Sequence, residues 1–200
     1  MKLYGSLTSP YVRKVRILIA EKSVACDFVV ADPTAADSPV PKHNPLGLVP
    51  VLVRDDGSAL FDSPVVLEYL DSLQAPALIP ASGEPRWQVL RLAALADGML
   101  DQCVARTMEL RRAAAQRSAE VNKRRELKIA RAIEFAEEQV SGGAYLAGGR
   151  LTLADIALAT ALEYIDFRYP HDWRSPNPQL AAWHEGIGAR PAFVATQPPT

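Results

Sequence analysis

A long stretch without proline sets the strongest limit on what this chain can fold into. Residues 86–169 contain no proline, and residues 99–141 contain no glycine either. Residues 1–80, by contrast, hold nine of the 16 prolines and only eight of the 31 alanines. Because proline and glycine mark turns and alanine favours helix, the sequence predicts a turn-rich first part followed by long helices.

The overall composition excludes several classes of protein. The chain has 200 residues, of which 48% are apolar, and its formal net charge is −1, as in an ordinary globular protein. A sequence pI near 6.3 disfavours a nucleic-acid-binding protein. The eight basic residues between Arg111 and Arg131 are interrupted by Glu120 and Glu126, so we interpret them as a solvated helix face. No apolar run is long enough to span a bilayer, and we expect no membrane partner.

The cysteines and histidines form neither a disulfide framework nor a metal motif. Cys26 and Cys103 make no CxxC pair, which fits reduced thiols in the cytoplasm. The three histidines lie far apart in the sequence and lack the spacing of metal ligands, so we expect no metal site. The chain starts with the strand-like residues MKLYG and not with the apolar segment of a signal peptide. We therefore expect a cytoplasmic protein.

The first part of the chain predicts a small α/β domain. Predicted strands are residues 2–5, 26–30, 51–54 and 58–61, and predicted helices begin at Pro10 and at Ser63-Pro64. The first two strands are expected to be parallel because a helix joins them. Asp55-Asp56-Gly57 is typical of a hairpin turn between the last two strands.

Residues 75–85 (APALIPASGEP) are rich in proline and small residues and separate the two parts. We predict an α/β domain at 1–76, a linker at 77–85 and an all-α domain at 86–200. In the all-α domain, Thr152-Leu-Ala-Asp155 is a variant of the capping box at the start of an apolar helix. We assign this motif to folding and not to catalysis.

The segment Thr8-Ser9-Pro10-Tyr11 begins the first helix and allows two interpretations. Serine directly before a proline is a good N-cap, so a purely structural role is one of them. The other uses the same geometry, because a helix N-terminus attracts anions. A hydroxyl placed there can donate a hydrogen bond to a bound thiolate, which lowers the pKa of the thiol.

Two further motifs allow both a structural and a binding interpretation. In NPLGLVPVL, which begins at Asn44, a proline ahead of a strand is an ordinary turn device. If the Val49–Pro50 bond is cis, the backbone of Val49 can instead pair with an extended peptide ligand. In Phe61-Asp62-Ser63-Pro64, Ser63 either caps a helix or receives a ligand carboxylate, with Asp62 facing the ligand's ammonium group.

Together these motifs resemble those of serine-type bacterial cytosolic glutathione S-transferases. The segments that carry the resemblance are TSPYVRKVRI, NPLGLVPVL, FDSPVVLEYL and LTLADIALA, and they extend over essentially the whole chain. The resemblance implies an α/β thioredoxin-like N-terminal domain followed by an all-α helical bundle of the transferase type, and a homodimer. It implies glutathione as a co-substrate and no resident cofactor. The second substrate is expected to be a small hydrophobic electrophile.

The same resemblance assigns roles to individual residues. It makes Ser9 the hydroxyl that stabilises the glutathione thiolate, which then attacks the electrophile. The residues that it implies for substrate binding are Val49 and Pro50 at the cysteinyl backbone, Asp62 and Ser63 at the γ-glutamyl end, and Tyr11 at the second substrate.

The sequence also departs from the family pattern. Leu48 stands where many relatives have a polar or basic residue, so the glycyl carboxylate needs another donor, for which His43 or Lys42 is the candidate. Asp62 is one methylene shorter than the glutamate of many relatives. A serine at position 9 disfavours the thiol transfer of cysteine-type relatives. Two alternatives stay open: a binding or regulatory protein with little catalytic activity, and a glutathione-dependent isomerase, dehalogenase or peroxidase.

Overall fold

The computed structural model describes residues 1–199, so Thr200, the last residue of the predicted all-α domain, lies outside the described residues. The chain divides into two compact units. One comprises residues 1–79 together with the segment from Arg190 onward, and the other comprises residues 80–189. The C-terminal segment therefore packs with the first unit, although the sequence analysis placed it in the helical domain. No helix in residues 1–199 is long and apolar enough to cross a membrane.

The first unit is built on a four-stranded sheet with the strand order β2-β1-β3-β4. The strands are β1 (Lys2–Gly5), β2 (Asp27–Val30), β3 (Val51–Val53) and β4 (Ala59–Leu60). β1 and β2 are parallel, as predicted from the helix between them, whereas β1–β3 and β3–β4 are antiparallel. The predicted hairpin is present, and Gly57 in its turn has a φ of 84°, which favours glycine.

The described chain forms α-helices in both units. They are α1 (Pro10–Lys22), α2 (Ser63–Ser72), α3 (Gly83–Arg111), α4 (Ala119–Gln139), α5 (Leu153–Arg168), α6 (Pro178–Gly188) and α7 (Pro191–Val194). Short 3-10 turns lie at Val40–Lys42 and Ala114–Gln116. Helix α3 begins at Gly83, three residues before the predicted start of the all-α domain and therefore inside the predicted linker.

In the first unit, α1 lies directly against β1. A Cβ on Gly5 would approach a methyl carbon of Val12 to 2.5 Å, so this contact requires glycine. The apolar side chains between the sheet and its helices are fully buried, among them Leu3, Val15, Leu18, Leu52 and Leu70. Burial of this apolar area provides the main stabilisation of the unit.

The C-terminal segment is fixed to α1 by polar contacts. The Arg190 guanidinium forms two hydrogen bonds of 2.7 and 2.8 Å to the carboxylate of Glu21. Arg13 donates to the carbonyl of Phe193, whose side chain is fully buried. These contacts explain why residues 190–199 belong to the first unit, a relation that the helix pattern of the sequence does not reveal.

In the second unit, α5 packs against α3 and is buried on nearly every side. Leucine, alanine and isoleucine occur all around it, which is the pattern of a helix at the centre of a core. The predicted capping box at its start is confirmed. The Asp155 carboxylate, fully buried, accepts hydrogen bonds from the N–H and the hydroxyl of Thr152, both 2.7 Å, and from the N–H of Leu146 at 2.8 Å.

Candidate functional site

The three motifs singled out from the sequence lie at the same end of the sheet. β1 runs antiparallel to β3 with Tyr4 opposite Val51, so the end of β1 lies beside the start of β3. β4 pairs antiparallel with β3, with Leu60 opposite Leu52, so β4 also ends there. The Ser9 turn follows β1, the Val49–Pro50 pair precedes β3, and the start of α2 follows β4. The topology thus gathers residues that are more than 50 positions apart.

Ser9 is the N-cap of α1. Its hydroxyl oxygen accepts a hydrogen bond from the N–H of Val12 at 3.4 Å, and its carbonyl accepts from the N–H of Arg13. The side chain is half-buried. Accepting a hydrogen bond leaves the hydroxyl hydrogen available to donate, so capping and stabilisation of an anion are compatible at this residue.

The first turn of α1 contains no acidic residue. Pro10 occupies the first helical position and has no N–H, while the macrodipole places about half a positive charge at this end. No carboxylate of the helix itself offsets this charge. The start of α1 therefore favours a negatively charged ligand.

The Val49–Pro50 peptide bond is cis, which is the geometry that the binding interpretation of this motif requires. Pro50 is buried and Val49 is half-buried, and the pair leads directly into β3. Within residues 1–199, the backbone N–H and carbonyl of Val49 make no hydrogen bond to the protein.

Asn44 fixes the loop before Val49, and sequence reasoning missed this residue. Its side chain is buried, donates to the carbonyl of Leu48 at 2.9 Å and accepts from the N–H of Leu46 at 3.0 Å. Leu46 and Leu48 themselves are 70% and 60% exposed. An asparagine followed by proline is a turn signal, and that signal was available in the sequence.

At the start of α2, the cap is Asp62 and not Ser63. The Asp62 carboxylate accepts a hydrogen bond from the N–H of Ser63, and its carbonyl accepts from the N–H of Val66. Ser63 is the first helical residue and is 1% exposed, whereas Asp62 is exposed. The first turn of α2 also lacks an acidic residue, so only the cap carries negative charge there.

The remaining predicted site residues occupy partly structural positions. The His43 ring stacks on Tyr4 of β1 with their centroids 5.5 Å apart, and it is half-buried beside exposed Lys42. Tyr11 lies in the first turn of α1, half-buried, with the Lys14 ammonium 5.7 Å from its ring centroid. Burial raises the pKa of the half-buried Cys26 thiol, which disfavours a nucleophilic role.

A small α/β unit with the starts of α1 and α2 at one end of its sheet, followed by a helical unit, matches the architecture that the sequence resemblance implied. Comparison with known proteins supports this assignment. Residues 3–78 match the model of the glutathione S-transferase N-terminal domain, and residues 114–186 match that of its C-terminal domain.

The chain is also similar to individual proteins over its whole length. It is 39% identical to the uncharacterized GST-like protein YibF of Escherichia coli K12, covering 100% of this chain and 99% of YibF. A glutathione S-transferase from Methylobacillus flagellatus, solved with glutathione bound, has a TM-score of 0.96 and 37% identity, with 99% of each chain covered. A glutathione transferase family member from Pseudomonas fluorescens Pf-5, solved with S-(propanoic acid)-glutathione, has a TM-score of 0.88 and 37% identity, covering 100% of this chain and 97% of that one.

These matches confirm the predicted fold class, a thioredoxin-like N-terminal domain followed by a helical C-terminal domain. The protein belongs to the glutathione S-transferase family. Members of this family bind glutathione as a substrate, as the Methylobacillus structure illustrates. Within residues 1–199, no three histidine, cysteine or acidic side chains are grouped closely enough to hold a metal ion.

Proposed function

We propose that the protein is a glutathione transferase in which Ser9 stabilises the thiolate of glutathione for attack on an electrophilic carbon. The observation that carries this proposal is the start of α1, where a half-buried hydroxyl caps a helix end that has no acidic residue. A thiolate at this position gains a hydrogen bond from Ser9 and the favourable end of the macrodipole. Both effects favour the anion over the neutral thiol, so they increase the fraction of reactive nucleophile at neutral pH.

The rest of glutathione fits the other two motifs. The Val49 N–H and carbonyl, which have no partner within residues 1–199, are suited to pair with the cysteinyl backbone as an added strand. The first turn of α2 offers its N-terminus and Ser63 to the γ-glutamyl carboxylate, and Asp62 offers a carboxylate to the ammonium group. We assign His43 or Lys42 as the donor of a hydrogen bond to the glycyl carboxylate.

The conjugation reaction itself is also part of the proposal. The Pseudomonas relative holds a glutathione whose sulfur carries a propanoic acid, a thioether of the kind that conjugation produces. By analogy, this protein joins the glutathione sulfur to the carbon of an electrophile with a mostly apolar body, near Tyr11. We further propose that the protein is a cytoplasmic homodimer. Sedimentation equilibrium measures the mass in solution and so tests the dimer directly.

A second candidate function is glutathione binding without significant turnover. The observation that favours it is the cap of α2, where the Asp62 carboxylate already accepts the Ser63 N–H. One carboxylate oxygen is then committed to the helix, and the side chain is short for a ligand ammonium. Glutathione binding without conjugation of any electrophile would support this second function over the first.

The experiment that tests Ser9 uses a matched pair of serine caps. Ser118 caps α4 with the same geometry, accepting the N–H of Val121 at 3.3 Å. Ser9→Ala and Ser118→Ala are each expected to lose about 1 kcal/mol of unfolding free energy, because each removes an N-cap. Only Ser9→Ala is expected to raise the pKa of the thiol of bound glutathione. The rise should be about 1 unit, because the thiolate loses a hydrogen bond to the Ser9 hydroxyl.

The measurements are calorimetric titration with glutathione and the ultraviolet absorbance of the bound thiolate as a function of pH. An unchanged thiolate fraction in Ser9→Ala would limit Ser9 to a capping role. Absence of glutathione binding in the wild type would overturn both proposed functions.

A further inference from the structure

The turn before Val49 carries two exposed leucines that the proposed function has not used. We call Leu46 and Leu48 the leucine pair. Their side chains are 70% and 60% exposed, which makes them the two most exposed leucines among residues 1–199. A single exposed leucine is common on protein surfaces, but two on one turn, beside a backbone without a hydrogen-bond partner in the described chain, indicate a contact surface.

The buried side chain of Asn44 holds the leucine pair in place. Its amide group accepts a hydrogen bond from the N–H of Leu46 at 3.0 Å and donates to the carbonyl of Leu48 at 2.9 Å. The carbonyl of Asn44 accepts from the N–H of Gly47, also at 2.9 Å, and Gly47 has a φ of 64°. Asn44 is 2% exposed. The leucines are therefore exposed on a turn whose shape is fixed from inside the protein.

The turn offers no charge to a ligand. Residues 44–50 contain neither an acidic nor a basic side chain. The nearest cation along the chain, Lys42, belongs to the preceding 3-10 turn, and the ring of His43 is stacked on Tyr4. A ligand group that contacts the leucine pair therefore meets an apolar surface.

The register of the sheet shows on which side of Val49 the leucine pair lies. β4 runs antiparallel to β3 with Leu60 opposite Leu52, so the chain beyond Leu60 continues past the start of β3. The start of α2, at Asp62, follows two residues later and lies on the β3 side of Val49. The leucine pair precedes Val49 in the chain and lies on the other side.

This order sets the direction of a bound peptide. Under the proposed function, the γ-glutamyl end meets the start of α2, and the cysteinyl backbone pairs with Val49. The peptide then runs antiparallel to the segment around Val49. In an antiparallel pair, the residue after the cysteine lies opposite the residue before Val49, which is Leu48. The carboxyl-terminal end of the peptide thus reaches the leucine pair.

We propose that the leucine pair binds the carboxyl-terminal end of the peptide thiol, and that the preferred thiol is a γ-glutamylcysteinyl peptide whose carboxyl-terminal end is uncharged and apolar. A carboxylate beside two leucines loses water without gaining a partner, whereas an apolar group gains from burial. This inference rests on the proposed function and replaces its assignment of the glycyl carboxylate to His43 or Lys42. Glutathione itself still binds, through Val49 and the start of α2, but less tightly.

The test compares three peptides that differ only at the glycyl end. They are glutathione with its free carboxylate, the glycyl amide, which is uncharged and polar, and the glycyl ethyl ester, which is uncharged and apolar. In the wild type, calorimetry is expected to give a dissociation constant about fivefold lower for the ester than for glutathione, because part of the ethyl group is buried. The amide is expected to lie between the two. The measurement needs no turnover.

Variants of the leucine pair test its contribution directly. Leu46→Ser and Leu48→Ser are each expected to reduce the preference for the ester to about twofold or less, because each removes part of the apolar contact. Leu48→Lys is expected to reverse the order, because a cation favours the free carboxylate. Leu73→Ser replaces an exposed leucine at the end of α2 and is the control, with the wild-type order expected. All three positions are exposed, so the midpoints of urea unfolding should stay close to that of the wild type.

Two outcomes would assign the leucine pair or the carboxylate to another role. If Lys42→Gln weakens the binding of glutathione and leaves the binding of the ester unchanged, Lys42 binds the carboxylate, and the inference is overturned. If a second copy of the chain covers the leucine pair, Leu46→Ser lowers the mass at sedimentation equilibrium and leaves the order of the three peptides unchanged. That result also overturns the inference.

The remaining outcomes separate this inference from the function on which it rests. A preference for the ester that both serine variants lose and Leu73→Ser keeps supports the inference. A wild type that binds glutathione as tightly as the ester, or more tightly, overturns the inference and leaves the proposed function intact. A wild type that binds none of the three peptides overturns the proposed function itself.

Discussion

The N-termini of α1 and α5 both carry the partial positive charge of a helix start, but they differ in what balances it. At α5, the protein supplies its own anion, since the fully buried Asp155 accepts three hydrogen bonds from Thr152 and Leu146. At α1, Ser9 satisfies one N–H and the first turn contains no acidic residue. One helix start is closed by a carboxylate of the chain, and the other is open to an anion from outside.

This difference shows how a capping motif can be assigned to folding or to binding. A helix end whose positive charge is already matched by a buried carboxylate has little to offer a ligand. A helix end that is capped by a neutral hydroxyl and remains half-exposed keeps that charge available. The assignment depends on the charge and the burial of the cap more than on the presence of a cap.

The largest effect is expected from opening the closed helix start. Asp155→Ala removes the acceptor of three hydrogen bonds and leaves the N–H groups of buried Thr152 and half-buried Leu146 without this partner. We expect a loss of about 4 kcal/mol of unfolding free energy, measured by urea denaturation. Glu138→Ala, at an exposed position of α4, is the control and should lose less than about 0.5 kcal/mol. A loss of similar size in both variants would contradict the structural role of Asp155.

The second prediction concerns a variant that places a carboxylate at the N-cap of α1. Ser9→Asp keeps a good N-cap, so we expect stability to change by less than about 0.5 kcal/mol. The added carboxylate repels the glutathione thiolate and is expected to raise the pKa of the bound thiol by about 1 unit or more. Turnover at neutral pH should fall at least about tenfold for the same reason.

Ser118→Asp is the matched control for that substitution. It places the same charge at the cap of α4, and both glutathione binding and turnover should stay at the wild-type level. The thiolate absorbance of bound glutathione, measured against pH, distinguishes the two variants. Equal thiolate fractions in Ser9→Asp and wild type would show that α1 does not receive the sulfur.

Much of this comparison could be predicted from the sequence, because caps and turns are local. Ser9 before Pro10, the Asp55-Asp56-Gly57 hairpin and the Thr152–Asp155 capping box all depend on residues a few positions apart. The parallel pairing of β1 with β2 follows from the helix that joins them. Local chemistry is therefore sufficient to predict the order of elements and the starts of α1 and α5.

Other features depend on contacts between distant positions, which a single sequence does not display. The packing of residues 190–199 with α1 depends on Glu21 and Arg13, more than 160 positions earlier. The contact of Arg106 with the ring of Tyr169 forms only because the ends of α3 and α5 meet. At α2, the aspartate and the serine were both recognised, but which one caps the helix depends on where the first helical turn begins. The roles of Ser9, Val49 and Ser63 in glutathione binding stay predictions.

The smallest effect concerns a third helix start, that of α4, which is closed by a carboxylate from another helix. Glu109 of α3 accepts the N–H of Ser118 at 2.8 Å and a hydrogen bond from Arg112 at 3.2 Å. The hydrogen bond from the Ser118 N–H lowers the pKa of Glu109. Burial acts in the opposite direction, and the neighbouring charge of Arg112 lowers this pKa further. A carboxyl whose pKa is lowered by folding stabilises the folded state above its unfolded pKa of about 4.3, and this stabilisation disappears as the pH falls through the lower folded pKa.

The lowered pKa of Glu109 predicts how the stability of the Glu109→Gln variant depends on pH. At neutral pH the variant should be less stable than the wild type, because the amide keeps an acceptor for Ser118 but lacks the charge. The two proteins should converge as the pH falls from about 4.3 through the lower folded pKa of Glu109, since the folded wild type then becomes protonated at this carboxyl. Urea denaturation between neutral and acidic pH measures the difference, and Glu138→Gln serves as the exposed control. A difference in unfolding free energy that stays constant across this pH range would contradict a stabilising role for the charge of Glu109. Only the geometry of its hydrogen bond to Ser118 would then stabilise the start of α4.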